Sequence, residues 1–255
     1  MKTLTRFLIV IFACTGLALT SFAGPEPIRD YKDKVVAPVP PPCDWHGFYI
    51  GAHIGGEWGD STTTDLDGYN QIVVRRGDRA RYDEEGFVAG GQVGYNFQWK
   101  WLVVGVEGDI GHMDLDGAGI MPGSVQFYHS DTIASTNSDF YATFRDRIGI
   151  AFNHWLFYAT GGGIAVNYDT RVVDTNLTAP GGATINAHQQ ELDWGWCAGG
   201  GVEYMITCHW SIKGEYLHFD LDDQGFHGIG NSGGDFHWNA QTKGNIARAG
   251  INYHF

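Results

Sequence analysis

Proline is nearly missing from most of this chain. Six of its eight prolines crowd into one stretch (Pro25, Pro27, Pro38, Pro40, Pro41 and Pro42), and only Pro122 and Pro180 lie beyond it. A long segment that excludes proline commits its backbone N–H groups to a ladder. Long apolar runs are also missing after Leu19, which excludes a helix that spans a membrane. Positive charge is scarce: 16 Lys and Arg face 29 Asp and Glu, a formal charge of −13 that argues against a nucleic-acid partner. Charged residues make up only 18% of the chain and the mean hydropathy is −0.20, which fits neither a disordered chain nor a helical bundle. Glycine, at 37 residues, and aromatics, at 14%, are what the chain has in quantity. That pairing points to strands.

Residues 1–23 read as a secretory signal peptide. Lys2 and Arg6 open it, Phe7 to Leu19 is apolar but too short to cross a bilayer, and Ser21-Phe22-Ala23 supplies small residues for cleavage. Losing it removes two basic residues and no acid, so the mature charge becomes −15. Residues 24–42 read as a proline-rich extended tether, and residues 43–255 as the folded domain. Cys14 leaves with the signal. Cys43, Cys197 and Cys208 remain, an odd number for an oxidising compartment.

Trp45, Trp101, Trp155 and Trp210 open successive apolar-rich stretches at nearly equal spacing. Each of the four units carries a second strand-like run: Gln92 to Phe97, Arg147 to Phe152, Gly201 to Ile206 and Arg248 to Tyr253. Within the runs apolar and polar residues alternate, the period-two pattern of a strand with two unlike faces. The connections alternate as well. Phe97 to Lys100, Asn153-His154 and Thr207 to His209 allow only tight turns, whereas 59–84, 114–138, 170–187 and 223–236 are long and polar. The expected fold is therefore all-β: an eight-stranded antiparallel up-and-down transmembrane β-barrel with short periplasmic turns and four long extracellular loops.

One parity, including Phe48, Ile50, Ile54, Val104, Ile110, Phe144, Ile148 and Ile251, is expected to face lipid. The other carries Tyr49, His53, Gln92, Asn96, Glu107, Asp109, Arg145, Arg147, Glu203, Lys213, Glu215 and Arg248, a set too polar for an ordinary core. A soluble barrel with the polar parity outside is the competing reading. The tryptophans favour the membrane: Trp45, Trp99, Trp101, Trp155 and Trp210 fall at the short-turn end and Trp58, Trp194 and Trp238 at the other, as two aromatic girdles would. Asp146 breaks the scheme by falling on the lipid parity, and a local bulge or an error of register would explain it.

The runs Trp45 to Gly51, Gly90 to Tyr95, Gly105 to Asp109, Tyr158 to Gly162, Gly201 to Tyr204 and Lys213 to Leu217 resemble the opacity-protein and outer-membrane immunogenic-protein family of eight-stranded barrels, over about Trp45 to Phe255. The resemblance implies an integral protein of the outer membrane of a Gram-negative-type bacterium, among lipid and lipopolysaccharide. Terminal Phe255, with Tyr253 and Ile251, resembles the signal read by the barrel-assembly machinery. Some relatives bind hemin, so hemin is the one cofactor the resemblance suggests, without a motif to carry over.

An eight-stranded barrel has room only for side chains, so the inward charges are expected to form a packed network. Glu203 and Lys213 flank the last tight turn and should pair across strands, while Arg145, Arg147 and Arg248 should neutralise Glu107, Asp109 and Glu215. A narrow solute conduit through this cluster is the functional alternative. His129, His227 and His237 lie in the long loops and are candidates for hemin or transition-metal ligation, without a spacing motif. The acidic runs at Asp65, Asp114 and Asp220 contain fragments of calcium loops but lack the closing Glu, and are expected to solvate loops or bridge lipopolysaccharide through divalent ions. Cys43 precedes the first strand and Cys208 sits in the last short turn, so a Cys43–Cys208 disulfide is expected, with Cys197 free in the lumen. No catalytic residues or resident metal site are expected: Ser130 and Asp131 follow His129 in a loop, but adjacency is not a triad. Host or environmental surface ligands are the expected loop partners.

Overall fold

A computed structural model describes residues 43–68, 76–121, 132–174, 184–231 and 233–255. The signal peptide, the tether, His129, Ser130 and Asp131 lie outside the described residues. The described residues form nine strands: β1 (Gly47–Asp65), β2 (Arg79–Trp99), β3 (Leu102–Ile120), β4 (Ile133–Phe152), β5 (Trp155–Asp174), β6 (Ile185–Thr207), β7 (Trp210–Leu221), β8 (Gln224–Ile229) and β9 (Asp235–His254). No helix occurs among the described residues.

Eight of these strands close the barrel. Each pairs antiparallel with the next, β7 pairs with β9, and β9 returns to β1 from Tyr49↔His254 to Asp65↔Trp238. The ninth, β8, is the difference from expectation: it lies in the segment read as the last long loop and hairpins onto the outer part of β9. The other expected loops are also shorter than the polar composition suggests. β1 runs on to Asp65 and β2 begins at Arg79, β3 reaches Ile120 and β4 starts at Ile133, and β5 ends at Asp174 before Ile185 opens β6. β-Branched residues such as Thr62, Thr63 and Thr64 extend a strand beyond the membrane as readily as within it, because water satisfies one face.

At the opposite end the turns are tight. Lys100 and Asn153 take the left-handed conformation, with φ of 56° and 53°, in two-residue hairpin connections. Gly47 has φ of 124°, a backbone that turns the lead-in segment into the barrel mouth.

The alternation predicted for the faces holds. Phe48, Ile50, Ile54, Val104, Ile110, Phe144, Ile148, Phe157 and Ile251 are exposed on the outer wall, with Trp99, Trp101, Trp155 and Trp210 ringing one end and Trp58, Trp194 and Trp196 the other. An apolar exterior bounded by indole rings is built for lipid. Two tryptophans depart from the girdles. Trp45 is 1% exposed and fills the lower lumen with Val103, Leu156, Tyr158 and Met205, while Trp238 is fully buried in the upper lumen beside Phe226 and Tyr82. Both carry the inward parity of their surroundings, and rings packed inside the two mouths close the barrel at each end.

Asp146 is on the lipid face after all, and no bulge is involved. Its register is unbroken on both sides, Val106↔Asp146 and Asp146↔Gly161, and the irregularities in the two ladders of β4 fall elsewhere, at Gly111/Leu115 and Ser138/Phe140. Along the outward row of β4, Phe140, Ala142 and Phe144 precede it and Ile148, Ile150 and Phe152 follow, which sets the carboxylate halfway across the apolar band. None of the described side chains pairs with it. A carboxylate at that depth costs on the order of 2 kcal/mol. Asp146→Leu is therefore expected to stabilise the barrel by about 2 kcal/mol in reversible denaturant unfolding from lipid vesicles, whereas Asp67→Leu at the outer mouth should change little.

Candidate functional site

The lumen is crossed by one continuous layer of charges, four basic and four acidic. Alternation along β3, β4, β6, β7 and β9 brings them inward at similar depth: Glu107 and Asp109, Arg145 and Arg147, Glu203, Lys213 and Glu215, and Arg248, each buried. Arg145 is fully buried and reaches three acids, Glu107 at 2.6 Å, Asp109 at 2.7 Å and Glu215 at 3.2 Å. Arg248 donates to Glu215 at 2.7 Å and to Asp109 at 3.0 Å. Arg147 donates to Glu203 at 2.9 Å and lies over the Tyr158 ring, 3.9 Å from its centre. The expected Glu203–Lys213 pair does not form. The two residues face each other in register, but the Lys213 ammonium crosses the lumen to Glu107 at 2.9 Å, leaving Glu203 to Arg147, Ser211 and Asn252. A buried charge is tolerated when its counter-charge and its hydrogen bonds are both supplied, and crossing the lumen supplies both.

Tyrosines tie this layer to the wall. Tyr49 donates to Glu107 at 2.8 Å and accepts from Arg147 at 2.7 Å, and Tyr158 donates to Glu215 at 2.9 Å. Each ring lies across a glycine of the neighbouring strand, Tyr49 on Gly94 and Tyr158 on Gly201, where a Cβ would run into the ring. Strand glycine here is space reserved for an aromatic ring.

Below the charges Trp45 packs into the periplasmic end of the lumen. The Trp45 backbone N–H donates to Gln98 at 2.6 Å, and its ring meets His254 edge-on. The Cys43–Cys208 disulfide forms as expected, joining the lead-in segment to the β6–β7 turn with 4.9 Å between Cα atoms. Cys197 is free and buried.

At the outer mouth, His227 on β8 and His237 on β9 are register partners with stacked rings, 5.8 Å between centroids. Each has its Nδ1 against a carboxylate: His227 with Asp235 at 2.9 Å, His237 with Asp67 at 2.6 Å. Among the described residues neither Nε2 has a partner. No cluster of three or more His, Cys, Asp or Glu suited to a metal occurs among the described residues. Five buried acids on inward positions escaped the sequence reading, Glu57, Asp65, Glu84, Asp174 and Asp193, with Glu57 and Glu84 in the upper lumen. Continuing the Tyr49–His53 alternation by four residues would have placed Glu57 inward.

A closed antiparallel barrel with an apolar exterior, aromatic girdles and a charge-filled lumen defines a small integral protein of the bacterial outer membrane. The chain belongs to the family described as "Outer membrane protein beta-barrel domain", whose model matches residues 36–255. It is similar to the 31 kDa outer-membrane immunogenic protein of Brucella melitensis biotype 1, at 28% identity over 227 residues, covering 86% of this chain and 88% of that one. It is also similar to a 22 kDa outer membrane protein of Rhizobium leguminosarum bv. viciae, at 28% identity over 192 residues, 74% of this chain and 71% of that one. Among solved structures, the outer membrane protein OprG from Pseudomonas aeruginosa shares the fold, with a TM-score of 0.50 and 15% identity, covering 82% of this chain and 97% of that one.

Two outcomes follow from these contacts. Arg145→Met takes one cation from three buried carboxylates and leaves them to Lys213, Arg147 and Arg248, and should cost about 3–5 kcal/mol in denaturant unfolding; adding Asp109→Asn should recover part of it. At the mouth, Asp67 holds the His237 imidazolium up and is itself held below the usual carboxylate range. The loop clamp should therefore be present between the ordinary carboxylate and histidine ranges and be lost as pH rises through the elevated His237 value. Proton NMR should show His237 titrating above about 6.5 and falling back in Asp67→Asn.

Proposed function

We propose that this protein is a non-conducting, non-catalytic anchor of the outer membrane whose work is done at the cell surface. The observation that carries this reading is the charge layer: eight side chains of balanced charge span the lumen and bond one another, so an ion or solute would have to break several buried pairs to pass. The mouth end, where β1 to β6 outrun the membrane and β8 hairpins onto β9, supplies the surface for contact. Its acidic side chains are suited to divalent bridges with lipopolysaccharide phosphates, and to host or environmental ligands that vary with loop sequence. Exposed Phe255, bonded by its backbone N–H to the Phe48 carbonyl at 3.0 Å, is the terminus offered to the assembly machinery. The non-catalytic reading rests on chemistry: the eight charged groups of the central layer are spent on one another, and among the described residues no nucleophile stands beside a base at a place substrate reaches.

The His227–His237 pair favours a second reading, capture of hemin or a transition metal at the mouth. Two neighbouring imidazoles, each oriented by a carboxylate on Nδ1, present Nε2 in the tautomer that ligates. A hemin or copper titration should give a Soret shift or a saturable d–d band that His227→Ala with His237→Ala abolishes; an unchanged spectrum removes this reading.

For the principal reading, planar-bilayer recording of refolded protein is expected to show no unitary current. Large steady steps would defeat it.

A further inference from the structure

We propose that Glu57 and Glu84 form an oxygen-lined site for a divalent hard cation in the upper lumen, a site independent of whether the barrel conducts. The charge balance points there first. The four basic residues of the lumen are all spent on Glu107, Asp109, Glu203 and Glu215. Glu57 and Glu84, at 2% and 1% exposure, remain as two further buried acids with no Lys, Arg or His against either among the described residues.

Their oxygens make the argument specific. Both carboxylate oxygens of Glu57 and Oε1 of Glu84 are fully buried and accept no hydrogen bond from any described residue. Natural proteins rarely leave three such acceptors orphaned within one site. The register places the two acids diagonally on adjacent strands, Glu57 opposite Gly86 and Glu84 opposite Gly59, so both carboxyl groups enter the same space. Glycine surrounds that space. Gly55 and Gly59 flank Glu57 on its own strand, and Gly244 on β9 lies so near that a Cβ there would fall 2.7 Å from Glu57 Oε1.

The remaining polar groups at this level are hydroxyls. Tyr168 donates to Glu84 Oε2 at 2.9 Å, Ser61 and Thr242 share a hydrogen bond at 2.5 Å, and Thr136 faces Glu84. Above and below are apolar side chains, with Phe219, Ile246 and Val88 on one side and Trp238 and Phe226 on the other. Two carboxylates and several hydroxyls, without nitrogen or sulfur, are the ligand set of calcium or magnesium rather than of zinc or copper. Two negative charges also match one divalent ion, which would neutralise the site and tie β1 and β2 to the β5 and β9 hydroxyls.

The test uses the full barrel refolded in detergent, stripped with chelator and titrated with calcium or magnesium at constant ionic strength. Calorimetry should find one saturable site per barrel, and the melting temperature should rise on saturation. Glu57→Gln with Glu84→Gln should weaken that site by about tenfold or more and remove the melting shift, while Asp44→Asn at the periplasmic end leaves both unchanged. Should the double variant fail to fold, Mn2+ added to the wild-type barrel provides the answer by paramagnetic broadening. Broadening of the Ile246 and Ile164 methyls ahead of Ile229 at the mouth is the expected result. Absence of a saturable site, an affinity the double variant leaves unchanged, or broadening confined to the mouth overturns the proposal.

Discussion

Every feature of this barrel depends on the ion pairing that fills its centre. Eight strands make a ring too narrow for bulk water and too wide to close on backbone alone, so side chains must occupy the interior. Using charges there is costly, since each must leave water, and the cost is met only when every charge meets opposite charge and donors at short range. In the central layer the requirement is met by reaching across the lumen. Arg145 from β4 touches acids on β3 and β7, and Lys213 from β7 touches β3. The network therefore ties strands that share no ladder, and it holds the ring's cross-section.

The rest of the architecture protects that arrangement. Tyr49 and Tyr158 hold the acids from the wall, and their rings need the glycines they lie on. Trp45 and the Cys43–Cys208 bridge close the periplasmic end, with Trp238 and Phe226 packed in the outer one. Outside, lipid rewards an apolar face, so the two sides of each strand are fixed by opposite solvents, and a one-residue slip would carry charge into hydrocarbon. That opposition makes the register unambiguous. Asp146 is the exception that shows its strength, a carboxylate held on the lipid side because its neighbours on β4 leave the strand no other registration.

Much of this was legible in the residue order because period-two alternation is local. The eight barrel strands, both faces, the eight charges of the central layer and the Cys43–Cys208 bridge follow from alternation, turn length and the adjacency of first and last strands. Partner choice was legible only in part: the arginines do meet Glu107, Asp109 and Glu215 as expected. Glu203 and Lys213 are neighbours across a turn, yet the pairing is decided by depth and reach across a lumen that sequence does not display. Trp45 and Trp238 were assigned to the girdles because indole at a strand end usually means an interface; their parity, shared with Tyr49 and Arg248, was the better guide. The outer extensions and β8 were hidden because beyond the membrane both faces of a strand can be polar, and alternation fades.

The central claim, that paired side chains rather than solvent fill the lumen, is tested most directly by a high-resolution crystallographic density map of the barrel interior. The account predicts continuous side-chain density joining Glu107, Arg145, Asp109, Arg248 and Glu215, with no chain of waters passing through that level. A continuous file of water from the outer mouth to Trp45, with the arginines turned against the wall, would contradict it.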